Sequence, residues 1–485
     1  MNFAAVIRYL GLVTTIIGAT MILPLLVAAF SNEPAAAIAF AVVMGGAVVL
    51  GGSVVFATGK VKTQLSRRDA MVLVVAVWIV ATLLGGLPYL LTGSVPNFLD
   101  AFFETMSGFT TTGATIFSSI ADKPHSILFW RSFTQWLGGL GIITLFVSLF
   151  PLFGLGASRL LEAEAPGGYE GERLTSRIRD TARIVFIIYF FFTVVEMLLL
   201  MITGLPLFDS ATISLSTVST GGFAATNLSI ESYHNVMAEI IIMVFMFLGG
   251  TNFALFFWVF FRKRLQRFFG NPELRFYVLI ILVSVVLVNL DLIFNKSLSL
   301  IESLRESSFN VISISTTTGF SSTNFDAWPS FSRSLLLVLM VIGASAGSTA
   351  GGLKVVRVLI LFKYAYRRIL QAINPAAVIP LKIGNTVLQE STVSRTVGLT
   401  VFYFGLLWGG FVLMSTLGLP FEEAISSVTA CMGSIGPGLG VIGPYGNFDT
   451  VPDLGKAVLS FFMLAGRLEI FALLVLFTPA FWRRT

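Results

Sequence analysis

The chain has one cysteine, Cys431, and two histidines, His125 and His234, in 485 residues. A single thiol excludes an intramolecular disulfide and a thiolate metal cluster, and two histidines are too few for a multi-histidine zinc site. Charge is scarce as well, with Asp, Glu, Lys and Arg making up 12% of the residues. No catalytic triad, metal cluster or phosphate loop emerges from what remains, which leaves a membrane enzyme or an assembly factor without support. The net charge of +6 and pI near 9.5 do not indicate nucleic acid, because the basic residues flank the ends of apolar runs.

Hydrophobic residues, 55% of the chain, gather in stretches long enough to cross ~30 Å of hydrocarbon. In lipid every backbone amide needs an internal partner, so such stretches are helices or line a protected polar cavity. The expected fold class is therefore an all-α polytopic membrane protein. Hydropathy and breakers predict ten spans: Tyr9 to Phe30, Ala36 to Thr58, Ala70 to Leu91, Ile127 to Leu155, Ala182 to Ile202, Val236 to Phe261, Phe276 to Phe294, Leu335 to Phe362, Val397 to Leu417 and Ala457 to Phe481. The first run follows Arg8 as in a signal peptide, yet it is too long and a second span follows at once, so it reads as a retained helix. Ten crossings place both termini on one side, which collects Arg8, Arg67, Arg68, Arg159, Arg183, Arg262, Arg367, Arg368, Arg483 and Arg484 among others. The opposite side has chiefly Lys123, Arg131, Lys296, Arg305 and Arg333, so the first side is expected to be cytoplasmic.

Beyond the first two spans a pattern recurs four times: a span, a short acid-headed segment, a Gly-centred loop and a second span. The loops are FTTTGA (Phe109 to Ala114), STGGF (Ser219 to Phe223), TTTGF (Thr316 to Phe320) and SIGPG (Ser434 to Gly438). An acid precedes the loop glycine by the same interval each time, as Asp100 and Gly113, Asp209 and Gly222, Glu306 and Gly319, Glu423 and Gly436 show. That interval holds a helix of roughly three turns and a short extended piece. An acid at the helix start suits the dipole, and Pro96, Pro206 and Pro420 just ahead suit the first turn. The negative ends of four such helices favour a cation where the loops converge. Glycine allows φ > 0, so carbonyl oxygens can face one axis and replace the water shell of K⁺. The expected organisation is an N-terminal two-helix hairpin (1–66) and four membrane-pore-membrane repeats (67–160, 161–268, 269–372 and 373–485) around one pseudo-fourfold pore.

Two further features lie at membrane depth. The eighth predicted span is interrupted by GASAGSTAGG, containing Gly343, Ser345, Gly347, Ser348, Thr349, Gly351 and Gly352. Such backbone is tolerated where it lines a cavity, which suggests a loop obstructing the pore, or where small residues allow close helix packing. It is no P-loop, since Leu353 stands where the lysine belongs and Lys354 comes one residue late. Arg467, in the last predicted span, would cost at least ~2.5 kcal/mol facing lipid and should face the bundle. There it either sets a barrier below the loops or locks to a neighbouring repeat. Asn252 lines the inner pore or makes an interhelical contact. Trp130 and Arg131 read as an interface anchor, the two histidines as surface residues and Cys431 as packing.

These loops, the paired N-terminal spans, the interrupted eighth span and GRLEIF near the C-terminus resemble the Trk/Ktr/HKT superfamily of K⁺ transporters, in particular the membrane subunit of its bacterial Trk branch. The resemblance covers essentially the whole chain. It implies K⁺ coordination by Gly113, Gly222, Gly319 and Gly436 with Thr111, Thr112, Thr220, Gly221, Thr317, Thr318 and Ile435. The fourth loop departs from the Thr-rich pattern, which makes the pore asymmetric there. K⁺ as the transported ion, no covalent cofactor, a bacterial inner-membrane location, a homodimer and a cytosolic ring of nucleotide-binding (TrkA-like) regulatory subunits are likewise implied. An ion-coupled symporter for another solute, and Na⁺/K⁺ permeation with weak selectivity, are the competing functional readings.

Overall fold

The structure, a computed structural model, describes residues 1–59, 65–141, 178–384 and 386–483. Six of its helices are long and apolar enough to cross a membrane: Phe3–Phe30, Pro34–Ala57, Arg68–Leu91, Thr181–Ile202, Pro272–Lys296 and Glu390–Thr416. Only 33% of the apolar window in the first and 28% in the second are buried within the chain, so most of their apolar surface faces outward. Phe30, Phe56, Ile202 and Phe294 are among the apolar side chains that stand outward. The first helix begins at Phe3 rather than Tyr9, taking Arg8 inside it. The guanidinium reaches along the helix to the Thr58 carbonyl at 2.7 Å, the behaviour of a long basic side chain near a membrane boundary.

The other predicted spans take different forms. The sixth and tenth are bent pairs, Val236–Gly249 with Phe253–Phe260 at 100° and Asp453–Arg467 with Phe471–Phe477 at 113°. At the first bend Gly249, Gly250 and Thr251 end one helix, and the Asn252 side chain caps the next by accepting from the Ala254 amide at 2.9 Å. At the second, Glu469 and Ile470 adopt φ of 52° and 67°. The eighth predicted span is two helices, Ser330–Ile342 and Val355–Ile373, separated by the Gly-rich loop. The fourth predicted span opens as helix His125–Gly139, and its second half lies outside the described residues.

Between these lie four short helices: Phe98–Phe109, Leu207–Val218, Leu300–Ser315 and Phe421–Gly433. Pro206 and Pro420 stand at the cap positions of the second and fourth, whereas Asn97 caps the first. Asp100, Asp209 and Glu423 fall in first turns. Glu306 does not, because the third helix starts about a turn earlier, with Ser299 and Glu302 forming a capping box. The short helices carry Ser and Thr on buried walls, and several of these bond back one turn, as Thr105 to Ala101 at 2.7 Å and Thr217 to Ile213 at 2.8 Å. Among the described residues one departure from an all-α chain occurs, a two-rung antiparallel pair of Lys382–Ile383 with Thr386–Val387.

The N-terminal hairpin packs through glycine. A Cβ on Gly51 would lie 2.8 Å from the Thr15 amide and closer still to the Gly11 carbonyl, whereas one on Gly52 would meet nothing within 4 Å. Gly51→Leu should therefore destabilise the folded protein by roughly 1–3 kcal/mol, while Gly52→Leu, on the lipid side, should be neutral. The yield of monodisperse protein after heating in detergent checks this, and equal yields for the two would refute the packing argument.

Candidate functional site

Each short helix ends the same way. The residue two before the loop glycine is left-handed: Thr111, Thr220, Thr317 and Ser434 have φ of 55°, 53°, 57° and 55°. Their amides return to the carbonyls of Gly108, Thr217, Ile314 and Cys431 at 3.0, 2.9, 3.1 and 3.4 Å. The next amides, of Thr112, Gly221, Thr318 and Ile435, return to Ser107, Ser216, Ser313 and Ala430 at 2.9, 2.8, 2.9 and 2.9 Å. This is the Schellman closure of a helix C-terminus, with Thr or Ser where glycine is usual. A left-handed L-residue costs roughly 1–2 kcal/mol, and at Thr111, Thr220 and Thr317 a hydrogen-bonded hydroxyl offsets a penalty that glycine would avoid.

The loop glycines follow at φ of 84° for Gly113, 76° for Gly222, 82° for Gly319 and 99° for Gly436. An added Cβ on Gly113 would collide with the carbonyl of Gly221, on Gly222 with that of Thr318, and on Gly319 with that of Ile435. On Gly436 it would lie 2.8 Å from the carbonyl of Thr112, which closes the circuit. Four loops scattered across more than 300 residues of sequence thus form one closed ring, and all four glycines line a common cavity of about 80 Å³. One departure from equivalence occurs in the second loop: the Gly221 carbonyl accepts from Gln135 Nε2 at 2.6 Å.

The helices that follow the first, second and fourth loops also approach in a repeated manner. Gly138 and Gly466 would carry a Cβ into the Phe109 and Met432 carbonyls, and Gly249 would place one 3.1 Å from the Val218 carbonyl. Each of those carbonyls belongs to the residue four before the ring glycine.

Beneath the ring lies the segment Gly343 to Gly352. The break after Gly250 frees carbonyls of its helix, and the segment takes them: Ser345 donates to Gly250 at 3.1 Å and the Thr349 amide to Gly249 at 3.3 Å. Gly347 accepts from the Phe253 amide at 3.0 Å and lies against Asn252, which thus contacts the Gly-rich segment and also lines the second cavity described below. The segment also touches the left-handed hydroxyls. Thr317 Oγ1 accepts from the Gly351 amide at 2.8 Å, Thr220 Oγ1 meets Thr349 Oγ1 at 3.3 Å, and Gly351 packs against Gly433 and Ser434. Ser348 bonds within the segment to the Ser345 carbonyl at 2.6 Å, while Gly343 and Gly352 close its two ends against each other. Glu273 holds the Ala346 amide at 2.6 Å.

Arg467 reaches into the same place from the last residue of its helix. It donates to Thr111 Oγ1 at 3.2 Å, to the Thr349 carbonyl at 2.8 Å, to Gly139 at 2.9 Å and to Gly138. Arg467 does not pair with Glu469, whose carboxylate takes Arg357 instead. A second cavity, of about 610 Å³, opens on the segment at Ala346 and Gly347 and reaches Glu273, Arg357 and Glu469; it shares no lining residue with the first.

The assembly is a ring of carbonyls and glycines, with a guanidinium and the Gly-rich segment on one side and a cavity lined by the ring glycines. No group of three or more His, Cys, Asp and Glu side chains suited to a metal ion occurs among the described residues. Residues 37–484 match the family model TrkH, described as a cation transport protein. The chain belongs to the TrkH family. Over 486 aligned positions, and 100% of both chains, it is 37% identical to the Trk system potassium uptake protein TrkH of Salmonella typhimurium. It is 32% identical to the Trk system potassium uptake protein TrkG of Escherichia coli over 88% of each chain. The crystal structure of the potassium transporter TrkH from Vibrio parahaemolyticus superposes with a TM-score of 0.89 at 33% identity, covering 100% of both chains. A TrkH-family chain is a multi-pass membrane transport protein rather than an enzyme.

Within this TrkH-family site several sequence expectations need amendment. Trp130 and Arg131 are buried rather than an interface anchor: Trp130 Nε1 donates to the Gly85 carbonyl at 2.9 Å and Arg131 pairs with Glu104 at 2.7 Å. Hydropathy could not separate a membrane boundary from a polar interior, and an Arg131 to Gln135 spacing of one helical turn was the unused signal. Lys456, in the final closing helix, pairs with Asp100 of the first short helix at 2.7 Å. His125 and His234 are exposed and Cys431 is buried, as expected. Gly319→Ala should lower the melting temperature in detergent by several degrees more than Gly418→Ala. Gly418 has φ of 92° but nothing within 4 Å, so the pair separates ring closure from backbone strain.

Proposed function

We propose that the chain takes up K⁺ across a bacterial inner membrane, through a filter formed by the carbonyls around Gly113, Gly222, Gly319 and Gly436. The single observation that carries this reading is the closed circuit in which each ring glycine abuts a carbonyl of the neighbouring loop. Carbonyls so arranged exchange for the water shell of an alkali cation, and four helix C-terminal ends add negative potential. Relatives bearing the name Trk system potassium uptake protein in several bacteria support K⁺ as the ion.

In this reading the chain crosses the membrane ten times with both termini in the cytoplasm, and its four repeats follow the boundaries given by the sequence. The equal backbone geometry of the four loop ends supports the repeats. Residues Gly343 to Gly352 and Arg467 act as the gate. Their support is the set of hydrogen bonds that fills the space under the filter, where a fixed positive charge opposes a passing cation. The inside-negative potential supplies ~2.3 kcal/mol per charge for each 100 mV, enough to drive influx against a concentration gradient. A second copy of the chain and a cytosolic TrkA-like nucleotide-binding ring complete the assembly.

Expressed in cells lacking K⁺ uptake, with the regulatory ring supplied, the chain should admit radioactive Rb⁺ in preference to Na⁺; no Rb⁺ influx would sink the reading. Gly113→Ser should narrow the preference for Rb⁺ over Na⁺, since a Cβ there meets the second loop. A shortened Gly343 to Gly352 segment should raise influx. An unchanged or lower rate in a folded deletion would remove the gate assignment and leave the filter untouched.

A further inference from the structure

Behind the first and second loops lies a polar cluster that none of the groups above requires. Glu104 and Arg131 are an ion pair with side chains 0% and 1% exposed. Isolated at this depth, either charge would be strongly destabilising, and a buried pair is commonly no more stable than apolar residues of like volume. Its partners indicate what it accomplishes. Glu104 accepts from Arg131 Nε at 2.7 Å, from the Ile116 amide at 2.9 Å and from Thr115 Oγ1 at 3.0 Å, which fixes the segment leaving Gly113.

The guanidinium then crosses to the next repeat. Nη2 donates to Thr115 Oγ1 at 3.1 Å, while Nη1 donates to the Ala224 carbonyl, two residues beyond Gly222, at 3.3 Å. The plane is held between aromatic rings, 4.1 Å from the Phe223 centroid and 4.9 Å from that of Phe117. One turn along the same helix, Gln135 straddles Gly222. Its Nε2 donates to the Gly221 carbonyl at 2.6 Å and its Oε1 accepts from the Phe223 amide at 3.1 Å. One rigid helix face therefore positions the second loop on both sides of its glycine and ties it to the first.

We propose that Glu104, Arg131 and Gln135 form a brace that sets the spacing between the first and second loops, and thereby the discrimination between K⁺-sized and Na⁺-sized ions. The proposal rests on the filter reading above. These are positioning residues, since none need touch the ion. A filter must hold its oxygens to within about 0.5 Å, and a planar, bidentate guanidinium fixed by two rings does this better than a flexible ammonium.

The test compares Rb⁺ and Na⁺ uptake by folded protein in K⁺-uptake-deficient cells. Arg131→Lys keeps the charge beside Glu104 but cannot span both loops. The double variant Glu104→Leu with Arg131→Met removes both charges together, so no unpaired ion is left buried. Both should still admit Rb⁺, with a Rb⁺ to Na⁺ ratio reduced by about tenfold or more, and Gln135→Leu should move the ratio in the same direction. A pair that served stability alone would leave the ratio unchanged in the double variant, and that result overturns the proposal. Failure of the unaltered chain to admit Rb⁺ would instead remove the filter reading on which the brace depends.

Discussion

Contact between a carbonyl oxygen and a glycine with no room for a Cβ recurs at each of the four steps around the ring, and the rest of the molecule is arranged to permit it. Backbone can approach backbone this closely only if each loop leaves its short helix at a fixed angle. The left-handed Thr or Ser and the two returning amides supply that angle. Glycines on three of the closing helices let those helices pass beside the helix ends. The hydrophobic surface then does little to specify the ring, because lipid and neighbouring helices offer similar apolar surroundings. Specificity comes from hydrogen bonds and exclusion of side-chain volume.

The same economy appears where helices break. Soluble proteins satisfy freed carbonyls with water, but at membrane depth they need partners in the chain. The bend at Gly250 provides acceptors, and the amides of Ser345 and Thr349 occupy them. Arg467 occupies the Gly138 and Gly139 carbonyls at the end of helix His125–Gly139. A charge that would be unfavourable in lipid is thus accommodated by backbone groups exposed at helix ends.

Much of this was legible in the residues. Long apolar runs marked the spans, and Gly113, Gly222, Gly319 and Gly436 were found by their loops and by equal spacing from an acid. That spacing succeeded for a partly mistaken reason, since Glu306 sits a turn inside its helix while Glu302 takes the first-turn role. The bends at Gly250 and Arg467 escaped a hydropathy reading because apolar residues continue on both sides. Arg131 and Gln135 escaped it because their partners, Glu104, Ala224 and Gly221, are remote in sequence and become neighbours only in the folded chain. The short strand pair at Lys382 and Thr386 has too few residues for alternation to register.

Arg467 has a consequence that reaches beyond its position. Its guanidinium satisfies a hydroxyl of the first loop, a carbonyl of the Gly-rich segment and carbonyls at the end of the first closing helix. None of these can move away alone without leaving a donor or acceptor short of a partner, so a displacement at the end of that last helix is felt at once by the first loop and by the Gly-rich segment.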